Sequence, residues 1–385
     1  MEWVRGEVPE FRRAQSLGYP VAGLTCLTVM AMAQGVGRGP QDLAQYADTL
    51  SQAQLHALGF RRDVDTGDIR CPKKTTFTRF LHGVDDEAIE RVLLQWQHHL
   101  LGPIQDRIVI LDGKKVRHGG VEIVNAVNST GRFLGSVMTD SKSNEIPAGR
   151  QLLLKQDLLG KIVVGDALHT QVETAQQILY EQGGDYLLTV KGNQPTIQTT
   201  LEKLFEKQPF SPSAHSPDPS DEAGAQSEPA GNSLAGVLGS DPPQVGFPGA
   251  RLAARLETRV RRKDQWCRKV VYLLSSLTLH ELQAQGMLAL KRGYWVVEGR
   301  LHHCLDISMQ EDQSRVRTPK AARVLGTVRR VVLSLANAVV DRVRKKNPKT
   351  KCNTKSFQQR FRSARGGRER LHALVFAKSP NVLDL

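Results

Sequence analysis

The chain is 385 residues long with a formal net charge of +14, enough for one large domain or two to three ordinary ones, each with its own core. The charge is uneven: residues 251–385 hold 30 Lys and Arg against 10 Asp and Glu, and residues 1–250 hold 23 against 29. A cationic C-terminal third points to a polyanion, nucleic acid ahead of anionic membrane, because neutralised phosphates release counterions. No apolar run reaches the ~18 residues of a membrane span, and MEWVRGEVPEFRR has no secretory core, so a cytoplasmic chain with no membrane partner is expected. Five scattered cysteines without a CxxC pair argue against a disulfide framework or a zinc module.

Residues 1–104 read as an N-terminal helical, DNA-binding or associated domain. VAGLTCLTVMAMAQG predicts a buried helix, and in DDEAIERVLLQWQHHLL the residues Ile89, Val92, Leu93 and Trp96 recur at helical spacing. CPKKTTFTRFLHGV opens a basic helix, read either as a helix-turn-helix-like DNA contact or as a solvated face. Residues 105–210 change to strands: RIVILDGKKV, then two β-rich runs joined at NSTG, a hairpin signal. A helix over EIPAGRQLLLKQDLL, the strand KIVVGDA, the helix HTQVETAQQILYEQG and the strand DYLLTVKGN complete an α/β order suited to a mixed sheet with flanking helices. Residues 211–250 have five acids and no Lys or Arg among Pro, Gly, Ser and Ala, a composition expected to be disordered. Residues 251–279 read as a basic β insertion and 280–345 as helices belonging to the α/β core. Residues 346–385 read as a basic tail whose phenylalanines either stack on bases or pack on the core.

Asp112 and Asp166 close the apolar runs IVIL and KIVVG, the carboxyl ends of strands where open α/β sheets place their chemistry. Glu298 lies on a helix whose Trp295, Leu301 and His302 share its face at α-helical spacing, which predicts apolar anchors docking Glu298 onto the sheet. Two or three carboxylates suffice for magnesium, which keeps several waters, and paired ions cleave phosphodiesters without a covalent intermediate. Taken singly, a strand-end Asp is more often a turn or cap residue, and Glu298 an ordinary surface acid. Glu298 with His302 and His303 is not a zinc HExxH, because the first histidine is missing. Glu311 and Asp312 are either substitutes for Glu298 or members of a charge network with Arg315 and Arg317.

Several stretches resemble the H-repeat-associated transposases, insertion-sequence transposases of the DDE type: YPVAGLTCLTVMAMAQG, ILDGKKVR, SNEIPAGRQLL, IVVGDALHTQ, GGDYLLTVKGNQP and YWVVEGRLHHCLDISMQEDQSRVR. The resemblance runs through nearly the whole chain. It implies a ribonuclease H-like core, Asp112, Asp166 and Glu298 as the metal-binding catalytic triad, and two magnesium ions, for which manganese can substitute. It also implies cutting of transposon ends and joining of the freed 3′-hydroxyl to target DNA. The partners expected are double-stranded DNA, as terminal inverted repeats and target, and a second copy in a homodimer on DNA at the bacterial nucleoid. Lys114, Lys115 and Arg117 would hold the scissile phosphate beside Asp112; Lys191 and, further out, Arg300, Arg315 and Arg317 would hold DNA backbone. The sequence departs from the family at Tyr294, Gly299 and Leu168, and by the segment 211–250. Two other readings are a decayed or domesticated copy that binds DNA without cutting it, and a general nuclease of the same fold.

Overall fold

A computed structural model describes residues 2–13, 18–118, 122–139, 145–206, 214–215, 233–240, 245–262, 265–363 and 367–376; the side chains of 2–3, 214–215, 233–240, 259–262, 265–267 and 368 lie outside that description. Six helices come first: α1 (Glu2–Glu7), α2 (Val21–Ala33), α3 (Pro40–Ala47), α4 (Gln52–Ala57), α5 (Lys74–Gly83) and α6 (Asp86–Leu101). In α2 every residue is buried, as its all-round apolarity requires. The Asp85 side chain caps α6 by accepting from the N–H groups of Glu87 and Ala88, and Gly102 ends it at a positive φ of 77°.

The strands β1 (Ile108–Lys115), β2 (Glu122–Val127) and β3 (Phe133–Thr139) form an antiparallel meander that turns at Asn128–Gly131, where the hairpin signal lies. After α7 (Glu145–Leu154), β4 (Ile162–Gly165) pairs parallel to β1. The helix α8 (Val172–Gln176) continues as a π-helical turn, Gln177–Glu181, and β5 (Asp185–Val190) then pairs parallel to β4. The order β3-β2-β1-β4-β5 is the mixed sheet expected of a ribonuclease H-like core. Both faces are covered, so alternate residues of β1 enter different cores. Ile110 joins α2, α6 and the later helices, whereas Val109 and Leu111 join α7, α8 and α9 (Pro195–Glu206).

The basic insertion is a hairpin, β8 (Leu252–Arg262) and β9 (Gln265–Ser275), with β9 antiparallel to β5. The segment 211–250 departs from the expected disorder: β7 (Ser233–Ser240) pairs along β8, β6 (Ala214–His215) pairs with β7, and Phe247 is buried edge-on against Tyr186, with centroids 5.8 Å apart. Backbone pairing by itself satisfies the open edge of β8. Its residues 211–213, 216–232 and 241–244 lie outside the described residues.

The chain then runs through α10 (Ala284–Val296), a π-helical turn Val297–His302, α11 (His303–Ile307) and the 28-residue α12 (Pro319–Lys346), which is buried against α2 and α6. Residues 346–385 are not a free basic tail where they are described. Helices α13 (Thr354–Arg362) and α14 (Gly367–Phe376) pack on α12 and α2, and Phe357 and Phe361 are buried in T-shaped contact at 4.9 Å. That burial removes these rings from any base-stacking role. Residues 364–366 and 377–385 lie outside the description. Among the described residues no helix is long and apolar enough to cross a membrane.

Candidate active site

The register Val109↔Val163 and Ile110↔Val164 between parallel β1 and β4 sets Asp112 level with Asp166, which directly follows β4; Asp112 itself does not end its strand as expected, because β1 runs on to Lys115 paired with β2. Asp112 is mostly buried. Burial and the like charges of Glu298 and Asp166 push its carboxyl up to about 6, against the opposing pull of His302 and Tyr294. The Tyr294 hydroxyl donates to Asp112 Oδ1 at 2.9 Å, and burial beside these acids holds that phenol far above its usual range, so it stays a donor. Asp166 is turned partly to its own loop, where Oδ1 accepts from the N–H of Leu168 at 2.9 Å and of His169 at 3.4 Å. The turn role weighed for a lone strand-end Asp is thus present alongside its place next to Asp112.

Glu298 sits in the π-helical turn. His302 Nδ1 lies 3.8 Å from Glu298 Oε2 and 3.4 Å from Asp112 Oδ2, and the three residues bring one ligand atom each within 4.8 Å of one another. The neighbouring His302 imidazole holds the Glu298 carboxyl below its usual range, against burial. The expected docking face is corrected here: Trp295 is 62% exposed, and Val297 and Leu301 are the buried anchors. Glu298 and His302, four residues apart on one side of this turn, face Asp112 together.

Further groups emerge that the sequence reading did not assign to the site. Glu145, at the start of α7, is pushed up to about 7 by burial and then by Asp112, Asp166 and Glu122, and lies 3.8 Å from buried His169 Nε2. Its carboxylate occupies the space that a Cβ on Gly113 would take, so a side chain there would push the Glu145 carboxylate aside. Lys291 donates to Thr189 Oγ1 at 2.7 Å and lies over the Tyr294 ring at 4.7 Å. Burial, followed by Lys191 and Lys269, lowers its ammonium to about 8, while Asp166 and Asp112 oppose that fall. Position in the helix register gave no signal for Glu145. Lys291 and Tyr294 stand seven and four residues before Glu298, a helical spacing that could have marked them.

The cationic candidates divide. Lys114 is buried and ion-paired to Asp306, with Glu311 at 3.8 Å, so it is taken from the phosphate-holding role expected for it. Glu311 is also not in a network with Arg315 and Arg317. It is buried against Arg330 at 2.9 Å and Arg329 at 3.9 Å, and these cations and Lys114 outweigh burial to lower its carboxyl. Arg300 is clamped by two 2.7 Å hydrogen bonds to Asp341 and one to the Thr130 carbonyl. Lys115 is exposed, 3.8 Å from Glu122. Arg117, Lys191, Arg315 and Arg317 are exposed.

The donor set fits a divalent cation. Asp112 and Glu298 offer oxygens; Asp166 follows β4 level with Asp112 but is not one of the three residues that gather within 4.8 Å, and burial, with smaller additions from Glu298 and Asp166, raises the Asp112 carboxyl. His302 adds a nitrogen, a donor that manganese accepts more readily than magnesium.

The chain is 28% identical to the "Putative transposase YncI" of Escherichia coli O157:H7 over 90% of each chain. It is 24% identical to the "H repeat-associated putative transposase YhhI" of Escherichia coli K12, over 85% of this chain and 88% of that one. A solved piggyBac transposase synaptic complex with hairpin DNA is similar at a TM-score of 0.43 and 14% identity, covering 99% of this chain and 82% of that one. The family model described as the transposase DDE domain matches residues 63–335. That match takes in Asp112, Asp166, the π turn and most of α12, and the chain belongs to the DDE transposase domain family.

Proposed function

We propose that this transposase cuts the ends of a mobile DNA element and joins the freed 3′-hydroxyl to target DNA, with Asp112, Asp166 and Glu298 holding two magnesium or manganese ions. The observation that carries the reading is the convergence of Asp112, Glu298 and His302 within 4.8 Å at the carboxyl edge of the sheet, with Asp166 level just after the neighbouring strand. Bound divalent ions supply an activated attacking oxygen and a stabilised leaving oxygen.

The protein's own groups do the positioning. Tyr294 fixes one oxygen of Asp112, and His302 lies between Asp112 and Glu298, so the helix and the strand are held at one spacing. Lys291, fixed by Thr189, sets a positive charge on the same edge, where a non-bridging phosphate oxygen gains from it. Lys191 is the solvent-facing cation beside it. Duplex DNA is the substrate, and two copies of the chain hold the two element ends.

The test is cleavage of a duplex carrying the element's terminal repeat, with manganese or magnesium and with chelator. Wild-type protein cuts only with metal. Asp112→Asn and Asp166→Asn bind the duplex with wild-type affinity and lose cleavage by about a thousandfold or more, the scale on which removing a principal electrostatic stabiliser acts. Undiminished cleavage in both variants would remove the reading.

A further inference from the structure

Away from the acidic cluster, a groove of about 820 Å³ opens where the N-terminal helices meet the end of β1 and the loop before α12. Four cationic side chains line it: Arg38 just before α3, Lys74 at the start of α5, Arg117 beyond β1, and Arg315. Two acids face them, Asp42 and Asp312. Asp42 is taken up by Arg38 at 2.8 Å. Lys74, Arg117 and Arg315 are exposed, and no ion pair is recorded for them among the described residues. Asp312 is the one remaining acid of the lining, so among the described residues three cations face a single carboxylate and the groove keeps a net positive charge, and the cations come from three separate stretches of chain. The basic helix opening in CPKKTTFTRFLHGV thereby acquires a place: Lys74 faces this groove, and Phe77, Phe80 and Leu81 of the same helix are core.

We propose that this groove is a cradle for the phosphodiester backbone of double-stranded DNA, gripping the duplex a fixed distance from the acidic cluster. The inference rests on the DNA reading above and adds to it a second contact, shared between the N-terminal helices and the sheet. Arg117 lies two residues beyond β1, the strand that carries Asp112, so one short stretch of chain joins the groove to the acidic cluster. The contact is to backbone, so it fixes register and carries no sequence information.

The experiment measures binding of a fluorescein-labelled random-sequence duplex of ~30 base pairs by the full chain in chelator across a salt series. The variant is Lys74→Glu with Arg315→Glu, both exposed, and the control is Arg61→Glu with Lys203→Glu, which makes the same change in net charge at exposed positions outside the groove. The groove variant is expected to raise Kd tenfold or more at ~0.1 M salt and to reduce the slope of log K against log salt by about two. The control should shift Kd less than threefold. Equal shifts for the two pairs, or an unchanged slope in the groove variant, would overturn the cradle. If metal-dependent cleavage and DNA binding by wild-type protein hold while the groove variant matches the control, only the cradle fails. If wild-type protein binds no duplex, the DNA reading fails and takes the cradle with it.

Discussion

At the scale of single residues, the centre is defined by acids that crowd one another and by the few groups that hold them. Glu145 is the clearest case. Its carboxyl ordinarily titrates near 4.5 and is raised to about 7, by burial first and by Asp112 and Asp166 next. Between about pH 4.5 and 7 the unfolded chain has released this proton while the folded chain still holds it, so folding stability falls as pH rises through that window. Glu145→Gln keeps the shape of the protonated acid without its charge. In chelator, the variant is expected to match wild type near pH 4.5 and to be the more stable protein at pH 8, as read by urea denaturation at each pH. A difference that does not grow with pH would refute the assignment. Glu145 was not legible in the sequence as a site residue, because it reaches the centre from an element whose own periodicity reports only its packing face, whereas Lys291 stood at a helical spacing from Glu298 that could have marked it. Lys114 misled in the opposite sense: its neighbours in sequence suggested a phosphate contact, but Asp306, 192 residues on, claims it.

At the scale of elements, the apolar pattern carried most of the fold. The sequence over VAGLTCLTVMAMA predicts a helix buried on all sides, and α2 is one. Its Gly23 lies where an added Cβ would collide with the Leu58 carbonyl and the Phe60 ring. Gly23→Ala is therefore expected to destabilise the protein by about 1–3 kcal/mol through overpacking, measured as a shift in the urea midpoint, despite alanine's better helix propensity. An unchanged midpoint would mean that α2 can move away from that contact. The π turn at Val297–His302 is the element that the pattern did not reveal. The spacing of Trp295, Glu298, Leu301 and His302 fits an α-helical face, of which Leu301 is buried and Glu298 and His302 lie at Asp112, but Trp295 stands in solvent. Strand β7 was hidden for a related reason. Edge pairing is made by backbone groups that every residue but proline carries, so its composition reads as linker.

At the scale of the whole molecule, the N-terminal helices, α12 and the C-terminal helices share one core with a face of the sheet, and the basic C-terminal stretch is anchored in it. Phe361 is 1% exposed and packs on Phe357, and Arg362 binds the Gln34 carbonyl across to the end of α2 at 2.5 Å. Phe361→Ala should cost about 3–5 kcal/mol, the range for deleting a buried aromatic, in the same denaturation experiment; a loss below ~1 kcal/mol would mean the C-terminal helices are only loosely attached. The strand and helix order of the sheet, the burial of α2 and the place of Asp166 just after β4 follow from hydrophobic periodicity and from where apolar runs stop, whereas β1 runs three residues past Asp112 because its polar end still pairs with β2. Only the tertiary structure decided which charges serve the centre and which serve the scaffold. Lys114, Glu311 and Arg300 are neutralised by partners distant in sequence, whereas Glu145, Lys291 and His302 converge on Asp112. Pairing across space depends on how elements pack, and no local spacing encodes it.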